Sequence, residues 1–276
     1  KNSIHAGYGK HSRLQAPIIY FNKLLTDTLN NIYTEPNKDL ELTKADHYVF
    51  GYNYYFNDNM RLKAEIYYQD LYNVPVEIEQ SYYSLINFGS SFSFYDYWLL
   101  ENGGTGRNYG IELTWEKFLS DNNYFLFTSS LFDSKYRGSD DVLRNTRFNG
   151  HIIVNLTGGY EFPLRNHNTF GIDIRTTWAG GERKVNIDYP ASVVAGVTVF
   201  DSEHAYESSF KDYFTFDFKV SYKINKKNVS HTLAIDIVNA TSRNNHFVEL
   251  YDPKTGEIIE GSKSSIIPSF VWRIHF

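Results

Sequence analysis

The last twelve residues, SIIPSFVWRIHF from Ser265 to Phe276, set Phe270, Trp272, Ile274 and Phe276 on one side of a strand. Val271, Arg273 and His275 fall on the other side. Chain ends usually fray. A two-residue period carried into a terminal aromatic therefore predicts a last strand that is fully paired and meets an apolar medium on one face.

The same period recurs along the chain. Over 213–224, Phe214, Phe216, Phe218, Val220, Tyr222 and Ile224 share one face, and Thr215, Asp217, Lys219, Ser221 and Lys223 share the other, with Tyr213 the exception. A strand template fits this run and a helix template does not. Segments 61–68, 169–178 and 231–239 repeat the alternation, with weaker members at 2–10, 46–56, 107–118, 123–136 and 148–162. With 264–276 the expected total is about ten strands.

The connections alternate in length. Asn57-Asp58-Asn59, Ser120-Asp121-Asn122-Asn123, Arg165-Asn166-His167-Asn168 and Asn225-Lys226-Lys227-Asn228 are tight and polar, as hairpin turns are. The others, near 11–45, 74–105, 186–211 and 244–263, with a shorter one at 138–146, are longer. A soluble sandwich has no reason for strict alternation. An antiparallel transmembrane β-barrel of the bacterial outer membrane does, since its periplasmic turns are short and its external loops long. Counting back from the C-terminus puts all four tight turns on the periplasmic side.

Composition agrees. The chain has 23 Tyr, 21 Phe and 4 Trp, 17% of its residues, and outer-membrane lipid with its two interfacial girdles offers them a place. No run approaches the roughly 20 apolar residues of a membrane helix. With no Cys there are no disulfides, zinc–thiolate sites or thiol nucleophiles. A net charge of −5 with mixed signs excludes a nucleic-acid stripe. KNSIHAGYGKHS at the start lacks the apolar core of a signal peptide, so the expectation is a mature form or part of a longer protein.

Several segments resemble TonB-dependent receptors of the Bacteroidetes. The block LELTKADHYVFGYNYYFNDNMRLKAEIYYQDLYNVPV (Leu40 to Val76) is similar to a recurrent hairpin of that family, and Gly106-Arg107-Asn108-Tyr109-Gly110-Ile111-Glu112-Leu113 to its next descending strand. Gly7-Tyr8-Gly9-Lys10-His11-Ser12 resembles a mid-barrel strand. The terminal Phe276, with Phe270 and Trp272, looks like the signal read by the barrel-assembly machinery. The resemblance implies that residues 1–276 are the C-terminal part of a 22-stranded barrel, its plug and N-terminal strands lying outside this sequence. It also implies import of a scarce chelate, glycan or peptide, with the TonB complex engaged through the N-terminal part. A surface lipoprotein or other outer-membrane subunit is a further possible partner. The rival readings are a complete ten-stranded barrel serving as surface enzyme or adhesin, and a scaffold barrel of a larger complex.

No metal or cofactor is expected: there is no HExxH and no calcium-loop pattern. Asp70, Asp133, Asp201, His204 and His246 stand at rim height, but no Asp-x-His pairing of outer-membrane proteases and no His-x-Ser of phospholipases accompanies them, so no catalytic residue is assigned. His5, His151 and His231 are read as strand residues. For ligand contact the candidates are Tyr95, Asp96, Tyr97 and Trp98, in the aromatic run FSFYDYWL, since flat faces stack and polar edges hydrogen-bond. These residues equally suit a local loop core or an outer girdle. Asp173, Arg175, Asp217, Lys219 and Asp236 are expected to face the lumen, solvating it or holding the plug.

Overall fold

A computed structural model describes residues 1–89, 99–263 and 265–276. Ten strands form one antiparallel meander: β1 (Asn2–Arg13), β2 (Thr43–Asn57), β3 (Met60–Glu77), β4 (Leu100–Ser120), β5 (Asn123–Arg137), β6 (Ile152–Pro163), β7 (Thr169–Ala179), β8 (Tyr213–Asn225), β9 (Ser230–Val238) and β10 (Ile267–His275). Each pairs only with its sequence neighbours, apart from a short strand, Leu143–Asn145, that adds to the end of β5. Among the described residues no ladder joins β1 to β10. The sheet is open, not the closed ten-stranded barrel that was the rival expectation.

Alternation does what the sequence predicts. Tyr8, Tyr48, Tyr68 and Tyr109 stand directly opposite one another across β1 to β4. The rings of the first two pairs are tilted against each other, with centroids 5.1 and 6.5 Å apart. A second aromatic row near the tight turns takes in Phe162, Phe170, Tyr222 and Trp272, with Leu233 between the last two. From Tyr48 to Phe56 along β2 is about 26 Å of strand. At the usual tilt of 35–45° that is about 20 Å of height, close to the apolar band of an outer-membrane barrel. Between the rows lie Ile66, Ile111, Ile172, Val220 and Ile235, and among the described residues no second sheet covers them.

Left-handed backbone occurs where polar turns call for it: Asp121 and Asn122 between β4 and β5, Asn166 and His167 between β6 and β7. Asn tolerates this conformation because its short side chain bonds locally.

The long connections carry more structure than expected. Segment 244–263 holds a hairpin, Asn245–Asp252 with Glu257–Lys263. Segment 186–211 holds a helical turn, Tyr189–Ala195, N-capped by Asp188 and closed by left-handed Gly196. Strands β3 and β4 run further out than predicted, to Glu77 and from Leu100. The hydrophobic core sits in this crown of loops, not in the sheet: Ile19, Leu85 and Leu100 cluster with Leu40, Tyr83 and Phe88 around them.

Candidate functional site

The crown is held by buried polar side chains that act on backbone. Asn149 has no solvent exposure. Its Oδ1 accepts from the Ser134 amide at 3.1 Å, and its Nδ2 donates to Asp133 at 2.8 Å and Asn145 at 2.9 Å. Fully buried Tyr136 donates its hydroxyl to the Tyr82 carbonyl at 2.6 Å, tying β5 to the loop after β3. Gly150 and Gly180 meet backbone to backbone, and a Cβ on either would overlap the other's carbonyl oxygen. That closeness lets Arg183 N–H reach the Arg147 carbonyl at 2.7 Å, locking the loop after β5 to the loop after β7.

Four crown segments enclose a cavity of about 550 Å³ on the loop side. Tyr82, Asn87 and Phe88 come from the loop after β3, and Arg147 from the loop after β5. Arg183, Lys184 and Phe210 come from the loop after β7, and Phe247 and Glu249 from the hairpin before β10. Tyr83 and Phe88 also pack on the crown core, so one wall is fixed from behind. Asn87 bridges cavity and scaffold: its Oδ1 accepts from Arg147 N–H at 2.8 Å.

The wall's cations are already engaged. Arg147 Nε donates to Glu182 at 2.9 Å, and Lys184 Nζ reaches the two oxygens of Glu249 at 2.5 and 2.7 Å. Arg183 donates to the carbonyls of Asn149 (3.1 Å) and Glu207 (2.9 Å) and to His151 Nε2 (2.7 Å). Lys184 also sits 5.1 Å from the Phe210 ring centroid, within cation–π range.

Below the crown, the sheet's polar face gathers all five residues expected to be lumenal. Asp173, Lys219 and Asp236 stand opposite one another across β7, β8 and β9, and Arg175 and Asp217 form an adjacent pair. Lys219 reaches Asp173 at 3.1 Å, and Tyr124 donates to the same carboxylate at 2.5 Å. Arg175 Nε donates to Asp217 at 2.7 Å, and the other Asp217 oxygen accepts the Asn239 amide at 2.8 Å. The polar rows continue with Asn155, which joins Thr128 to Thr177, and with His5 on Glu65 at 2.9 Å.

The remaining candidates separate. Phe270, Trp272 and Phe276 are highly exposed on the outer face and at the chain end. Tyr95, Asp96, Tyr97 and Trp98 lie outside the described residues. Asp133 binds Tyr109 and Asn149, His246 lies 2.8 Å from Glu260, and exposed Asp201 bonds His204 at 2.9 Å. That bond holds the Asp201 carboxyl below its usual range and raises His204 above its ordinary 6.5. His5 and His231 sit in strands as read. His151 does not: it precedes β6 in a left-handed conformation that lets it face Arg183. Among the described residues no cluster could hold a metal ion.

Sequence reasoning missed the cavity residues Arg147, Arg183, Phe210 and Phe247. The available signal was the pair Asn149-Gly150 and Gly180-Gly181, small residues just beyond strand ends where two loops must touch.

Solved structures share the fold at low identity. The ferripyoverdine receptor of the Pseudomonas aeruginosa outer membrane is 14% identical with a TM-score of 0.58, covering 89% of this chain and 28% of its own. The outer-membrane transporter YddB from Escherichia coli is 13% identical (TM-score 0.57; 99% and 38% covered). The Escherichia coli ferric-catecholate import receptor Fiu is 12% identical (0.55; 99% and 32%). The chain thus spans about a third of the length of these proteins. No curated protein matches the sequence. A family model described as TonB dependent receptor-like, beta-barrel, matches residues 2–240, which takes in β1 through β9. Barrels of this family are outer-membrane transport proteins and not enzymes. The chain belongs to the TonB-dependent receptor β-barrel family.

Proposed function

We propose that this chain forms the ligand-capturing C-terminal portion of an outer-membrane receptor that imports a scarce solute with energy delivered through TonB. The observation that carries the reading is the cavity of about 550 Å³ walled by four loop segments above a sheet with one continuous polar face. That volume lies within the range of about 300–1,000 Å³ usual for small-molecule sites.

Capture begins in the crown. In this reading the aromatic run containing Tyr95, Asp96, Tyr97 and Trp98 supplies further stacking faces and polar edges to the solute. A released solute then passes along the lumen wall. There Asp173, Arg175, Asp217, Lys219 and Asp236 keep the surface wet and offer alternating charges to a plug supplied by the N-terminal part. Phe270, Trp272 and Phe276 act in assembly, presenting an aromatic edge to the insertion machinery.

Import by a strain carrying the complete receptor as its sole route tests the reading. Uptake of ferric chelates, oligosaccharides and oligopeptides is measured with and without TonB. One class should accumulate, and only with TonB present. Uptake that ignores TonB, or none in any class, would overturn the proposal.

A further inference from the structure

We infer that the periplasmic end of β7 to β10 seats an anionic glycerophospholipid of the inner leaflet. Its headgroup phosphate meets the turns after β6 and β8, and an acyl chain lies in a groove on the outer wall. The inference rests on the outer-membrane barrel and does not depend on which solute is imported.

The four tight turns differ in charge. Asn57-Asp58-Asn59 and Ser120-Asp121-Asn122-Asn123 each hold a carboxylate and no cation. Lys117, just before the second of them, is engaged by Asn123 at 2.6 Å and lies 3.9 Å from Asp121. By contrast, Arg165-Asn166-His167-Asn168 and Asn225-Lys226-Lys227-Asn228 hold Arg165, Lys226 and Lys227 and no carboxylate. All three cations are exposed, and among the described residues none has an ion-pair partner. The acidic residue before the first basic turn, Glu161, stands opposite Gly171 on the polar face of the sheet and not on the lipid side. Each Lys or Arg held at an anionic lipid surface strengthens attraction about fivefold.

Hydrogen bonds gather these cations along one edge. The Asn225 amide donates to Asn168 Oδ1 at 3.2 Å, and Asn225 Nδ2 donates to the His167 carbonyl at 2.6 Å. Asn168 Nδ2 in turn donates to the Tyr222 hydroxyl at 3.3 Å. The Lys226 amide closes its own turn on the Val229 carbonyl at 2.9 Å. Two turns from separate hairpins therefore present a single fixed basic edge.

A groove opens on the lipid-facing side of the same strands. Phe170, Val220, Tyr222, Leu233, Ile235 and Phe270 border a space of about 190 Å³. Only about 10 Å of strand separates Tyr222 from Asn225. A lipid whose phosphate rests on the turns thus runs its chains past Tyr222 into the groove. Apolar burial by itself selects nothing in a bilayer, because neighbouring chains are equally apolar. The groove instead holds a chain by close contact along its length, and the basic edge chooses the headgroup.

The test uses the complete protein carrying this chain, released from mixed micelles for native mass spectrometry. Phosphatidylglycerol and phosphatidylcholine with identical chains are supplied in equal amounts. Phosphatidylglycerol should be retained about fivefold or more over phosphatidylcholine. Arg165→Gln, Lys226→Gln and Lys227→Gln combined should bring the two within about twofold, whereas Asp58→Asn in an acidic turn should leave the preference unchanged. Val220→Trp, which fills the groove without altering charge, should lower phosphatidylglycerol retention about threefold or more. Glycerol phosphate, a head without chains, should not displace the lipid. Heat-modifiable migration on gels reports folding of every variant. Equal retention of the two lipids overturns the inference, as does a preference that survives the triple substitution. Retention indifferent to Val220→Trp, or displacement by glycerol phosphate, overturns it as well, since either leaves a phosphate contact and no seated lipid.

Discussion

The strand band and the crown of loops satisfy their backbone by different means. In the band, ladders between neighbouring strands pair the peptide groups, and apolar side chains stay outside: Phe270, Trp272, Ile66 and Ile111 are 53–70% exposed. In the crown there are few ladders. Buried side chains close the accounts there, with Asn149, Asn245 and Tyr136 bonding to main-chain groups of segments distant in sequence. The band is thus stable only where something other than water covers its outer face, while the crown folds by ordinary burial. A receptor benefits from this division, because the membrane fixes the frame and the crown is left to shape a site.

Substitutions can break the comparison at its strongest point. Val220 lies at mid-strand between Ile172 and Ile235, and its neighbour Ser221 points to the polar face beside Gly171. Val220→Lys should destabilise the complete protein by about 2–4 kcal/mol in urea unfolding from liposomes, the cost of a lysine at the bilayer midplane, whereas Ser221→Lys should stay within about 1 kcal/mol. Equal effects would mean that the two faces meet the same medium.

The crown has its own weak point. Asn149→Leu removes three hydrogen bonds and leaves the Ser134 amide and Asp133 short of a partner. A loss of about 2–3 kcal/mol follows, confined to the loops. Hydrogen exchange should quicken over 132–151 and 180–185 and remain unchanged in β8 and β9.

A small effect sharpens the picture at the rim. The folded pKa of His204 is raised and that of Asp201 lowered by their mutual bond. The pair's contribution is therefore present between the ordinary values of about 3.8 and 6.5, lost as pH rises through the raised histidine value and lost as it falls through the lowered aspartate value. Asp201→Asn should return the His204 midpoint, followed by NMR, to about 6.5, with no measurable change in unfolding.

Much of the band was legible in the sequence because its rule is local. A period of two, broken by Asn-rich turns, marks β8 or β10 without knowledge of the partner strand. The five polar residues from Asp173 to Asp236 follow from the same rule, since fixing one residue's face fixes its neighbours. The β5 strand stayed ambiguous, as Leu126 and Phe132 lie on the polar face and mask the alternation. The crown was not legible, because its rule is long-range. Nothing near Asn149 in sequence announces that its amide will join Ser134, Asp133 and Asn145. Nor does Lys184 reveal Glu249, 65 positions away. Local signals did exist for the helical turn after Asp188, in its Asp-Tyr-Pro start and Gly196 stop.

The most direct test of the central claim uses the absence of cysteine from this chain. Single cysteines placed from Phe218 to Lys223 in the complete protein, spin-labelled in liposomes, report collisions with oxygen and with a water-soluble nickel chelate. Labels at 218, 220 and 222 should favour oxygen and those at 219, 221 and 223 the chelate, so that the two profiles alternate out of phase along the strand. A flat profile, or water access at all six positions, would contradict a sheet that stands between lipid and a wet interior.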